Sequence, residues 1–251
     1  MSGLLLVHRH LLVYRREWVV LLTGFLEPVL YLFAIGIGVG AMIGGFETGG
    51  RTVPYASFVA PAMLAASAMN GAVFDSTYGL FFRLKYHKVY EGVLATPMTT
   101  ADVAAGETLW SLLRGGIYST GFLLVMTAMG LVESWLAVLA LPAALLTGFA
   151  FAGLGMWLTT FMRSWQDFEF VTLAMTPMML FSGTFFPVDT LAGPLRWFIE
   201  VTPLYRGVVL CRELTLGAMT WASLVSVGFL VVLGASGMAA ARRRLDLLLL
   251  T

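Results

Sequence analysis

The side chains able to do chemistry are few, and several sit where water is scarce. Glu27-Pro28 interrupts an apolar run from Val19 to Ile43. A carboxylate inside hydrocarbon costs roughly 2.5–3.5 kcal/mol on insertion scales, so it must face water or a partner. Glu27 is then either a group lining a pathway or half of a structural pair. Asn70 and Asp75, with Ser76 and Thr77, fall in the lower part of the next apolar run. They could line a pathway or hydrogen-bond between helices. Glu27, Asn70 and Asp75 are therefore the pathway candidates. Other chemistry finds little support. His8, His10 and His87 lack partners at metal-ligand spacing, and His8-x-His10 points to different sides of a helix. No Gly-x-x-x-x-Gly-Lys-Ser/Thr phosphate loop occurs, because there is no Gly-Lys pair. No serine or cysteine stands in a nucleophile motif, and the carboxylates are scattered. The expectation is a non-enzymatic chain that binds no cofactor, metal or nucleic acid itself. A membrane-embedded enzyme acting on lipid would need clustered carboxylates or histidines near one interface.

The elements that must position these groups are membrane spans. Hydrophobic residues make up 59% of the 251 and charged residues 12%, against about 25% charged in an ordinary soluble domain. At about 20 apolar residues per span, six spans are expected: 19–43, 55–74, 102–131, 135–161, 168–186 and 220–241. Ahead of them, residues 1–18 read as an amphipathic helix at a membrane surface, with Leu4, Val7, Leu11, Tyr14 and Trp18 near one stripe. The apolar run after Arg15-Arg16 is too long for a signal-peptide core and lacks a small-residue cleavage pattern. Gly36, Gly40 and Gly44 form overlapping Gly-x-x-x-Gly steps that serve either a dimer or packing within one chain. Residues 45–53 read as a polar loop. Residues 187–213 are too polar for a span and too apolar for an ordinary loop, so they read as short re-entrant helices. Trp110, Trp135, Trp165 and Trp197 fall near expected interfaces, where anchoring is the default. Cys211 is the only cysteine, so no intrachain disulfide forms. The whole chain, 1–251, reads as one membrane domain.

Orientation follows from the cations. With the N-terminus in the cytoplasm, six spans put ten Lys and Arg residues inside, including Arg242-Arg243-Arg244, and four outside: Arg51, Arg196, Arg206 and Arg212. Both termini are expected inside. The loop at 83–101 mixes charge with Val89, Tyr90, Val93 and Leu94, which make an apolar ridge at helical spacing. A solvated linker does not need one; a docking surface for a soluble partner does.

At this loop the sequence resembles a family. Phe74-Asp75-Ser76-Thr77-Tyr78-Gly79, Arg83-Leu84-Lys85-Tyr86 and Glu91-Gly92-Val93-Leu94-Ala95-Thr96-Pro97 look like the membrane subunit of ABC-2 type exporters. The NodJ-like, nodulation-factor exporter subgroup fits best. Glu27-Pro28-Val29-Leu30-Tyr31-Leu32-Phe33, Phe181-Ser182-Gly183-Thr184-Phe185-Phe186-Pro187 and Thr202-Pro203-Leu204-Tyr205 are similar to the same subgroup. Gly92 and Met98 stand where other small or apolar residues are expected.

The resemblance implies an all-α permease of a bacterial inner membrane, paired with a second permease, expected to be an identical copy, and with two separate ATPase subunits that carry ATP and Mg. It implies that Val89, Tyr90, Glu91, Gly92, Val93, Leu94, Ala95, Thr96 and Pro97 couple to the ATPase. It also implies that Phe185, Phe186 and Pro187 form an extracytoplasmic gate. The implied cargo is an amphiphilic lipo-oligosaccharide or glycolipid, with an antibiotic, a drug or a polysaccharide as the alternative. A passive channel or scaffold would not need the ridge at 89–94.

Overall fold

A computed structural model describes residues 3–15, 26–43, 45–48, 51–191 and 193–249, apart from the side chain of Arg51. Trp18, the start of the first expected span and Gly44 lie outside the described residues. The elements are α1 (Gly3–Tyr14), α2 (Leu26–Ile43), β1 (Gly45–Thr48), β2 (Arg51–Pro54), α3 (Tyr55–Tyr86), α4 (Val89–Leu94), α5 (Thr100–Ala128) and α6 (Trp135–Thr159). They continue as α7 (Phe168–Phe181), α8 (Gly193–Glu200), α9 (Pro203–Leu216) and α10 (Trp221–Leu249).

Five of these helices, α2, α3, α5, α6 and α10, are long and apolar enough to cross a membrane. The fifth expected span is shorter than its apolar run. Helix α7 has 14 residues, about 21 Å at 1.5 Å per residue, against a hydrocarbon core of about 30 Å. Pro177 removes one backbone donor from it, and Gly183, at φ 70°, turns the chain out of helical geometry. The expected polar loop at 45–53 is instead a hairpin. Phe46 pairs with Val53 across it and packs edge-on against Tyr55 and Phe58. The Gly49-Gly50 dipeptide between the strands carries the turn signal.

Helix α3 is the centre of the bundle. From Tyr55 to Val73 every side chain but Ala56 and Asn70 is buried. A helix that is apolar all round belongs inside a protein. Its alanines and Gly71 let α5, α6 and α9 approach closely. The tightest crossing is α6 on α10. A Cβ added to Gly153 would lie 2.5 Å from the Gly234 carbonyl oxygen, and one on Gly237 would lie 2.7 Å from the Gly153 carbonyl carbon. Gly36 and Gly40 face Ala56 and Tyr55 of α3, so this pair serves packing within the chain.

A second apolar cluster forms at the end of the bundle that carries α1 and α4. It joins Leu6 of α1, Leu80 and Leu84 of α3, Tyr90 of α4, Val103 and Ala104 of α5, Met156 of α6, and Ala241 and Leu245 of α10. Helix α1 buries Leu6, Val7 and His10, while Leu4 and Leu11 are exposed. Its inward face is thus rotated from the expected Leu4–Val7–Leu11 stripe, because Gly3 and Leu6 seat on Gly106 of α5. Helix α10 runs on past Arg242-Arg243-Arg244, and Asp246 accepts a hydrogen bond from Thr100 at the start of α5.

The α6–α10 crossing yields a direct expectation. Gly153→Leu forces the backbones apart and costs about 1–3 kcal/mol of stability. Gly228→Ala, where an added Cβ meets nothing within 4 Å, leaves it unchanged. Thermal unfolding of the two variants in detergent makes the comparison.

Candidate functional site

The widened helical turns of α3, Asp75–Gly79 and Phe82–Tyr86, bring Asp75 and Arg83 to the interior. Such turns cluster at functional positions because they re-aim side chains. Gly79 makes room for the result, since a Cβ there would lie 2.9 Å from the Arg83 guanidinium. Arg83 Nη2 donates to Glu107 Oε2 of α5 at 2.6 Å. The Tyr90 hydroxyl of α4 donates to Glu107 Oε1, also at 2.6 Å. His10 Nε2 of α1 lies 3.1 Å from the same oxygen, and because a carboxylate only accepts, that nitrogen carries the proton. Glu107 and Tyr90 are each 1% exposed. One carboxylate thus holds four helices.

Its neighbour is a second ion pair. Arg114 Nη1 of α5 lies 3.3 Å from Asp75 Oδ2 and donates to the Tyr14 hydroxyl at 3.2 Å. Tyr14 in turn donates to Asp75 Oδ1 at 3.3 Å. Arg114 Nε donates to the Tyr118 hydroxyl, and its guanidinium lies over the Phe74 ring. Arg83 Nη2 reaches the Asp75 carbonyl oxygen, which links the two pairs. Both phenols outside the spans stay protonated as donors. Burial pushes Tyr90 well above its ordinary range, and the Glu107 charge adds to that. Burial and the Asp75 charge push Tyr14 up to about 12. Trp110, expected at an interface, is buried under α1, with ring contacts to His10 and Tyr14.

This network revises the reading of the 83–101 loop. The expected ridge does not face outward. Lys88 adopts the left-handed region, φ 48°, and this turn directs Tyr90 at Glu107. Val93 and Leu94 pack on the second apolar cluster. Val89 is half-buried. The outward face of the segment is Glu91, Gly92, Ala95, Thr96 and Pro97. The physical reason is that a six-residue helix has too little surface for two apolar faces, and the bundle claims the larger side chains.

The pathway candidates separate. Glu27 and Asn70 share a cavity of about 370 Å³ between α2, α3 and α7, with Phe185 on its wall. Asp75 does not line it; the second ion pair holds this residue inside the bundle. The turn that carries Phe185, Phe186 and Pro187 is pinned at two points. The Tyr55 hydroxyl donates to the Phe185 carbonyl at 3.2 Å. Arg212 of α9 donates to the Gly183 carbonyl at 2.7 Å and to the Phe58 carbonyl at 3.3 Å. Its guanidinium covers the Phe58 ring at 3.8 Å.

Sequence reasoning gave Glu107 and Arg114 no role and His10 no partner. The available signal was the balance of two acids, Asp75 and Glu107, and two arginines, Arg83 and Arg114, inside apolar segments, where unpaired charge is too costly to leave.

Glu107→Gln strands Arg83 without its counter-charge. Losing one member of a buried pair costs about 3–5 kcal/mol, read from denaturant unfolding in detergent. Tyr90→Phe costs about 1–3 kcal/mol through the unsatisfied carboxylate oxygen.

Residues 3–216 match the family described as ABC-2 type transporter. Nodulation protein J of Rhizobium leguminosarum bv. viciae is 37% identical over 199 residues, covering 78% of this chain and 75% of the relative. Nodulation protein J of Rhizobium meliloti (strain 1021) is 34% identical over 200 residues, covering 79% and 74%. The protein of the same name from Rhizobium leguminosarum bv. trifolii is 36% identical over 212 residues, covering 83% and 79%. With a helical bundle, several apolar helices and a match along most of its length, this chain is a multi-pass membrane protein that belongs to the ABC-2 type transporter family.

Proposed function

We propose that the chain is the membrane subunit of an ATP-driven exporter in a bacterial inner membrane, working with two separate ATPase subunits and a second permease, expected to be an identical copy. ATP and Mg are held by the partner subunits. The observation that carries the reading is the two-faced α4 segment. Its inner face ends in Tyr90 on Glu107, and its outer face is bare. A rigidly anchored helix with a free polar face suits a lever between a soluble motor and the spans.

In this reading 1–251 is one membrane domain. Residues 83–101 carry the coupling segment, with Glu91, Gly92, Ala95, Thr96 and Pro97 touching the ATPase. Val89, Tyr90, Val93 and Leu94 anchor it to the bundle. Helix α7 with the turn after it completes a sixth crossing, and α8 and α9 re-enter the membrane from outside. The excess of arginine and lysine on the α1, α4 and α10 ends supports both termini in the cytoplasm. Phe185, Phe186 and Pro187 close the pathway outside until the permeases tilt apart. This is alternating access by rigid-body motion. The cargo is an amphiphile of the lipo-oligosaccharide or glycolipid class. The likeness to nodulation protein J supports that class over an antibiotic, a drug or a polysaccharide.

The outer face of α4 supplies the test. A Cβ at Gly92 meets nothing within 4 Å, so Gly92→Trp fits the fold and obstructs only what docks there. The expected result is unchanged thermal stability, with at least about tenfold less substrate-stimulated ATP hydrolysis in reconstituted complexes. Full stimulation by the Gly92→Trp complex contradicts the coupling assignment.

A further inference from the structure

Helix α7 packs loosely: Phe170, Leu173, Leu180 and Phe181 are exposed. A cavity lies on each of two sides of it. The one toward α2, about 370 Å³, presents Glu27, Tyr31, Asn70, Thr172 and Thr176 together with apolar side chains. The one toward α6, about 580 Å³, is nearly all apolar, with Phe151, Leu154, Met162, Phe170 and Met178. Val73 and Met175 line both. A polar compartment and an apolar one therefore share a wall, each of a size usual for ligand sites, roughly 300–1,000 Å³.

The charge census of these walls is one-sided. Among the described residues, Glu27 is the only acidic or basic side chain on the polar compartment, and it forms no ion pair. Among the described residues, no lysine, arginine or histidine lines either compartment. The apolar one has Asp167 on its wall, already occupied by the backbone N–H groups of Arg163 and Ser164. A negatively charged head entering beside Glu27 loses its water and gains no cation. A head bearing hydroxyl or amide groups finds the Glu27 carboxyl, the Asn70 amide and the Tyr31 hydroxyl.

We propose that the paired cavities bind one amphiphile, with an uncharged, hydroxyl- or amide-bearing head against Glu27 and Asn70 and its chain beside Met162 and Met178, and that they discriminate against anionic heads. This deepens the exporter reading and rests on it for its meaning in transport. The binding itself is testable without an ATPase.

Asn70→Cys places a thiol in the polar compartment. The only native thiol, Cys211, is buried, so maleimide labelling reports position 70. The full chain is reconstituted in phosphatidylcholine vesicles and labelled in the presence of dodecyl glucoside or dodecyl phosphate at equal membrane fraction. Dodecyl glucoside is expected to slow labelling roughly tenfold more than dodecyl phosphate. Adding Glu27→Lys inverts that order, and Glu27→Gln narrows the difference. Equal protection by the two probes, an order that survives Glu27→Lys, no protection by either, or a position 70 that does not label at all overturns the proposal. Failure to form an ATPase complex defeats only the exporter reading, because the labelling assay does not use that complex.

Discussion

A single carboxylate, Glu107, cannot remain buried and charged unless its partners stay in place. The desolvation of such an ion costs several kcal/mol, recovered only through well-placed counter-charge and hydrogen bonds. Here the partners come from α1, α3 and α4, with Glu107 itself on α5. The constraint is mutual. Moving α4 by the length of a hydrogen bond breaks the bond from Tyr90 and loosens Arg83, which in turn touches the Asp75–Arg114 pair. The low polarity that makes the arrangement costly also makes it stiff, since unsatisfied alternatives cost more.

Stiffness at this end contrasts with looseness along α7. Around Glu107 the helices are joined by charge and by a dedicated apolar cluster. At the α6–α10 crossing they touch backbone to backbone. Helix α7 has exposed aromatic and aliphatic side chains and a cavity on each of two sides. Its far end is held by the Tyr55 and Arg212 hydrogen bonds to carbonyls of one short turn. A bundle built this way can transmit displacement through α3 and α5 as a unit and yield at α7.

Much of the fold was legible from composition alone, because apolar runs of span length leave few alternatives to membrane helices. The extent of the fifth helix was less legible: Pro177 lies inside it and Gly183 follows its end, so the helix covers 14 residues of the apolar run, and apolar content does not count backbone hydrogen bonds. The strands at 45–48 and 51–54 were missed although the Gly49-Gly50 dipeptide is a turn signal in the sequence, because they are only four residues each. In the site, Glu27 and Asn70 were legible as polar groups at depth, and they share a wall. Asp75 was equally visible, but its partner, Arg114, is 39 residues away in sequence. The ridge at 89–94 packs Tyr90, Val93 and Leu94 on the second apolar cluster. Which way it faced depended on a left-handed Lys88 and on a glutamate in another helix, and neither is written in the local pattern.

One carboxylate fastens α1 and α4 to the same point. His10 and Tyr90 both bond Glu107 Oε1, so their contributions should be linked through it. A double-mutant cycle of His10→Ala and Tyr90→Phe, read from unfolding free energies in detergent, measures that link. A coupling energy of about 1 kcal/mol or more between the two positions is expected. Strict additivity of the two substitutions would contradict it.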